Sequence, residues 1–198
     1  PAQRRGLKRI ATLGYISGSE PVPEQVGVVV SEPGAWRGRT LYSSSEESAA
    51  LLIDMKGEVV HSWSYPGFKS WGRVHLYENG DLLVITEEYP HLMKLDSDSE
   101  LLWEWNKAAH HDLEVQSDGS IAVLVSEEAT RPYICDGETF LTDSIIILTP
   151  LGKPVRRIPI LEAFENSRYA DWLKERLTPG STDPLHANSL ELFQREGR

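Results

Sequence analysis

The 198-residue chain holds a single cysteine, Cys135, so it forms no internal disulfide and cannot build a thiolate metal centre. It has no long hydrophobic run. Stretches such as Val28-Val29-Val30 and Ile145-Ile146-Ile147-Leu148 are strand-sized, far below the ~20 residues of a membrane-crossing helix. Cations are outnumbered, 20 Lys and Arg against 30 Asp and Glu, and a net charge of −10 argues against binding nucleic acid through its phosphates. The familiar catalytic signatures are missing too: no Gly-rich phosphate loop before a helix, no Gly-x-Ser-x-Gly elbow, no His-Glu-x-x-His.

What the chain does have is turns and repetition. Fifteen Gly and twelve Pro suit a turn-rich fold. The stretch from Leu51 to Trp63 returns from Leu92 to Trp105 and, more loosely, from Ile145 to Ile158. Each copy reads as strand, tight turn, strand. The equivalent turn positions Gly57, Ser99 and Gly152 lie 42 and 53 residues apart. A second unit interleaves with the first: residues 75–85 match 112–124, with hairpin turns at Asn79-Gly80 and Asp118-Gly119 that require positive φ.

Two hairpins per repeat of this length predict the blades of a β-propeller. The fold class is therefore all-β, a partial propeller of about three to four blades. The blades fall near 41–68, 70–107 and 108–160, with another opening at Leu185. A ring normally needs 4–8 blades. The chain, beginning at Pro1, is thus expected to be a piece of a longer polypeptide, completed by its own continuation or by a partner. Residues 1–26 are assigned to an N-terminal arm, basic at Arg4, Arg5, Lys8 and Arg9, and 27–198 to the propeller domain with a possible strand at residues 27–30. Residues 161–178 interrupt the strand pattern: Leu161, Phe164, Trp172, Leu173 and Leu177 are near helical spacing, with Asn166-Ser167 as a cap and Thr178-Pro179-Gly180 as a stop. This short helical insertion either covers an edge or lids a face. Trp36, Trp63, Trp71, Trp103 and Trp105 are assigned mostly to packing between blades.

Of the six histidines, His61 and His91 read as structural and His75 is equivocal. His110-His111-Asp112 and His186-Ala187-Asn188 stand apart. Each begins the innermost strand of a blade, so blade geometry brings them to one channel. Imidazole can donate, accept or attack near neutral pH, Asp112 or Asp183 could fix a tautomer, and Asn188 adds a neutral donor suited to an anionic oxygen. The same pattern also fits polar residues that merely satisfy channel water. Alternation along a strand would turn Asp112 away from His111. Nothing in the spacing of His75, His111 and His186 specifies a metal site, so no metal and no cofactor is expected.

Taken in order, "GVVVSEPGAWRGRTLYSSSEESAALLIDMKGEVVHSW", "ENGDLLVI", "LMKLDSDSELLWEW", "HHDLEVQSDGSIAVL" and "DPLHANSLEL" resemble the bacterial arylsulfotransferase family from about Gly27 to the C-terminus. The resemblance implies a six-bladed propeller that moves sulfuryl groups between phenolic compounds, without nucleotide donor or metal, in a ping-pong reaction. It implies that His111-Asp112 and His186 with Asn188 line the channel and bind the sulfuryl group. We accordingly take His111 and His186 as catalytic candidates, and His110 and Asn188 as substrate-binding ones. In the family a further histidine of a later blade is transiently sulfurylated; it has no counterpart up to Arg198, so this stretch alone is expected to be inactive. The implied partners are an aryl sulfate donor and a phenolic acceptor, with homo-oligomers possible and an extracytoplasmic, periplasmic and membrane-anchored setting. Two other readings stand beside it: a non-catalytic propeller binding a ligand or protein and, more weakly, a quinone-dependent propeller dehydrogenase, for which paired cysteines and calcium ligands are lacking.

Overall fold

The computed structural model describes residues 28, 30–43, 47–87, 90–135, 137–177 and 180–193. The basic arm and the start of the stretch at residues 27–30 lie outside this set, as do the first two residues of the stop at 178–180. Three antiparallel sheets follow one another along the chain, each a simple meander. The first contains β1 (Thr40–Ser43), β2 (Ala49–Ile53) and β3 (Val59–Ser64). The second contains β4 (Trp71–Leu76), β5 (Leu82–Thr86), β6 (Leu92–Leu95) and β7 (Leu101–Trp105). The third contains β8 (Ala109–Val115), β9 (Ile121–Thr130), β10 (Thr139–Leu148) and β11 (Pro154–Pro159). The fold is all-β and propeller-like, with sheet limits close to the expected blades.

The repeated turns explain the repeated sheets. Asp54 Oδ1 accepts from the backbone N–H of Lys56 and Glu58 at 2.8 and 3.0 Å. Asp96 does the same for Asp98 and Glu100, both at 2.9 Å, and Thr149 Oγ1 accepts from Lys153 at 3.2 Å. A short polar side chain thus closes each outer hairpin on its own backbone. The turn position after it is left-handed in all three copies: Gly57 at φ 83°, Ser99 at 67° and Gly152 at 72°. At Gly152 a second constraint applies. A Cβ there would lie 2.6 Å from Cε3 of Trp103, so the indole, whose Nε1 donates to the Pro150 carbonyl at 3.2 Å, would have to shift. Gly152→Ala should therefore destabilise the protein by about 2–3 kcal/mol, combining backbone strain with overpacking; a thermal melt within 1 °C of the parent would contradict this.

The sheets pack face to face through apolar alternation. Ala50 and Trp63 of the first sheet meet Trp71, Leu82, Val84, Met93 and Leu95 of the second. Leu83, Ile85 and Leu92 of the second meet Leu113, Val123, Ile146 and Leu148 of the third. β5 is buried at every position because it faces a sheet on each side. Trp36 departs from the packing role assigned to it: it is 94% exposed. The first sheet also departs from the four-strand unit. Its turns align β1–β3 with β5–β7, and no described strand precedes β1 as the counterpart of β4 and β8.

The interruption after β11 is helical, as α2 (Ile160–Glu165) and α3 (Ala170–Arg176), with Asn166 closing α2 by donating from Nδ2 to the Glu162 carbonyl at 2.8 Å. It packs on a feature without a sequence signal of its own: β9 and β10 run on past their sheet as a ribbon tipped by a short helix, α1 (Pro132–Cys135). Ile134, Cys135, Phe140, Leu161 and Leu173 form a small separate core there. Arg131 clamps Glu165 through two hydrogen bonds of 2.7 and 3.0 Å. Tyr133 donates to the same carboxylate at 2.5 Å, and burial with this bond pushes its phenol up to about 12. From this anchor the chain returns by Gly180 N–H on the Ile134 carbonyl, at 2.8 Å, and Thr182 carbonyl on Leu141 N–H, at 2.8 Å. The ribbon and helices therefore deliver residues 183–188 to the inner edge of the third sheet.

Candidate functional site

β4 and β8 are the inner edge strands of their sheets, and both step out of regular pairing. β8 pairs with β9 at Ala109 and next at Leu113, leaving His110, His111 and Asp112 in a bulge. His111 there takes a left-handed backbone, φ 54°, and His186 does likewise at 43°. Histidine is among the few non-glycine types that reach this region, and such conformations cluster at functional sites. The bulge removes the alternation that would have opposed Asp112 to His111, so neighbouring side chains splay over one edge.

The rings converge. His111 lies 5.2 Å from His186, centroid to centroid, at 61°, and 4.8 Å from His110 at 75°. The expected strand from Leu185 is not formed among the described residues; the segment instead lies along β8, held by side chains. Leu190 N–H donates to Asp112 Oδ2 at 3.1 Å and Leu192 N–H to Glu114 Oε2 at 2.7 Å. Asn188 Nδ2 donates to the His186 carbonyl at 2.8 Å.

Three carboxylates organise this cluster. Asp183 Oδ2 is 2.5 Å from His186 Nδ1, and that bond with its charge holds the His186 imidazole protonated above the ordinary histidine range. Asp143, only 2% exposed on β10, accepts from Ala187 N–H at 2.8 Å and lies 3.0 Å from His110 Nε2, out of line for a hydrogen bond but close enough for an ion pair when His110 is protonated. Burial would push the Asp143 carboxyl up, but His110 and the Ala187 N–H outweigh it and hold the group low. Asp112 bridges Leu190 N–H and Arg73 Nε, the latter at 3.1 Å. His111 goes the other way from His186: burial, then the charges of His110 and His186, lower its pKa.

His110 and His111 line a cavity of about 370 Å³ together with Gly72, Arg73, Ile85, Thr86, Glu87 and Pro90. Beside this cavity His186, whose pKa is raised, is the better cation, and His111 in its wall, whose pKa is lowered, the better proton acceptor. His75 is not part of it, its ring packing on Tyr77 at 5.0 Å. Among the described residues no group of three or more His, Cys, Asp or Glu side chains is arranged for a metal ion. The sequence reading overlooked Asp143 and Arg73. Asp143 carried a signal, a lone acid inside the apolar strand TFLTDSIIIL. Arg73 sits seven residues before Gly80 much as His111 sits eight before Gly119.

The model of the family described as Arylsulfotransferase (ASST) matches residues 22–197. No curated protein matches the chain.

Proposed function

Because the chain belongs to the arylsulfotransferase family, we propose that its His111–His186 mouth serves the passage of a sulfuryl group from an aryl sulfate to a phenol, without a nucleotide sulfate donor. The observation that carries this reading is the convergence of His111 and His186, 5.2 Å apart, each on a left-handed backbone. In sulfuryl transfer the bond from sulfur to the aryl oxygen breaks as a bond to the incoming nucleophile forms, and the departing phenolate takes up a proton. The negative charge is spread over the three remaining sulfuryl oxygens. A cationic His186 donates to these oxygens, and Asn188 adds the amide N–H not spent on the His186 carbonyl. A neutral His111 accepts the proton of the incoming phenol, and the phenolate that left earlier takes its proton from water.

The test is turnover of 4-nitrophenyl sulfate by the full-length polypeptide, dependent on an added phenol and on no nucleotide. No phenol-dependent release of 4-nitrophenol would sink the proposal. The division of labour predicts a bell-shaped pH profile. Activity rises as His111 loses its proton, below the ordinary histidine range because its pKa is lowered. It falls as His186 loses its proton, above that range because its pKa is raised. Asp183→Asn removes the negative charge and leaves only a weaker neutral acceptor for His186 Nδ1–H, so the alkaline limb should move to lower pH. An alkaline limb unmoved in that variant would assign it to another group.

A further inference from the structure

The inner strands lose regular pairing at equivalent places. β4 pairs with β5 at Trp71 and next at Val74, leaving out Gly72 and Arg73; β8 leaves out His110, His111 and Asp112 between Ala109 and Leu113. The repeat that sets His111 at the mouth therefore sets Arg73 at the same level one sheet earlier. Both bulges open into the one cavity. Resting on the sulfuryl-transfer reading, we propose that Arg73 is a further substrate-binding residue, whose guanidinium donates to the sulfuryl oxygens alongside His186.

Three features support the assignment. Asp112 Oδ1 engages the Arg73 Nε side at 3.1 Å and orients the guanidinium, while its other oxygen is fixed on Leu190 N–H. The terminal nitrogens of Arg73 donate no hydrogen bond among the described residues, and the side chain is 54% exposed, so a ligand can reach them. A planar fork of N–H donors matches two oxygens of a tetrahedral oxyanion, which a lysine ammonium does not. The one acidic residue in the cavity lining, Glu87, accepts from Ser70 Oγ through Oε2 at 3.2 Å.

The experiment uses the full-length polypeptide, with Arg73→Gln and Arg73→Lys compared for 4-nitrophenyl sulfate turnover and for inhibition by inorganic sulfate. Arg73→Gln should lower kcat/KM by roughly 10²-fold, the usual size for losing one oxyanion donor, and weaken sulfate inhibition in parallel. Arg73→Lys keeps the charge facing Asp112 but loses the fork, and should fall between. Unchanged kcat/KM and unchanged sulfate inhibition in Arg73→Gln would overturn the proposal. If that variant does not fold, parent-like values in Arg73→Lys overturn it equally. Should the parent turn over no aryl sulfate, the sulfuryl-transfer reading fails by itself; calorimetric binding of inorganic sulfate to parent and Arg73→Lys then decides Arg73, equal affinities counting against it and weaker binding by the variant for it.

Discussion

His186→Ala should reduce kcat/KM for aryl sulfate by about 10²–10³-fold, equivalent to about 3–4 kcal/mol of transition-state stabilisation, while leaving the protein folded. The loss follows from what the ring offers. Its Nδ1 is committed to Asp183, which leaves Nε2–H of a cation to meet the developing negative charge on the sulfuryl oxygens. Alanine has no donor to put there. Stability should barely move because the side chain is 56% exposed and packs only edgewise on His111. Its left-handed backbone persists in the variant, since residues 183–190 are held by Asp143 and Asp112 rather than by the ring. The readout is steady-state kinetics with a melt on the same preparations. A variant that unfolds, or one that keeps parent kcat/KM, would show His186 to be structural.

Asp143→Ala should do the opposite, costing about 3 kcal/mol of folding free energy, on the scale found when a buried charged partner is removed. For a chain of this size that is a fall in melting temperature of about 6–12 °C. The carboxylate is almost fully buried, and its loss strands the Ala187 N–H and uncouples the 183–188 segment from β10. Asp143→Asn keeps an acceptor for Ala187 and should be much milder. Acid gives an independent check. The Asp143 carboxyl is held low in the folded protein, so its stabilisation is present above the ordinary carboxylate range and disappears as pH falls through the folded value. Parent and alanine variant should therefore converge in acid. A constant gap between them across that range would remove the charge from the explanation.

The architecture was legible because its signals are local. Asn79-Gly80 and Asp118-Gly119 do mark hairpins, although only the glycines are left-handed and not both residues of each pair as the sequence suggested, and the Asp54, Asp96 and Thr149 turns recur with the same side-chain chemistry. The His110-His111 motif could be singled out for a similar reason, since it opens the inner strand β8, whereas the His186 motif was read onto a strand that the described residues do not form. The surroundings of the site were not legible. Whether Asp112 opposes or accompanies His111 depends on a bulge, and a period-2 pattern carries no mark of where a strand skips a residue. Asp143 reaches His110 from β10 and Ala187 from 44 residues away in sequence, a meeting created by the packing of the ribbon and helices. Trp36 misled because the repeat logic that buries Trp63 between two sheets does not extend to a residue upstream of β1.

The bulges at 72–73 and 110–112 have a bearing on how such a molecule can change over time. Residues on either side of each bulge, Trp71 and Val74 or Ala109 and Leu113, belong to the shared cores and tolerate little substitution. Arg73 and His111 are excused from that duty, since the ladder skips them, whereas Asp112 still holds Leu190 and His110 still faces Asp143. Chemistry and foldability are thereby written in adjacent but separate letters of the same strand. A lineage can exchange Arg73 or His111 one position at a time, sampling new substrates at the mouth while the sheets stay as they were. For an engineer, these two positions form a compact library in which loss of activity and loss of the fold should seldom coincide.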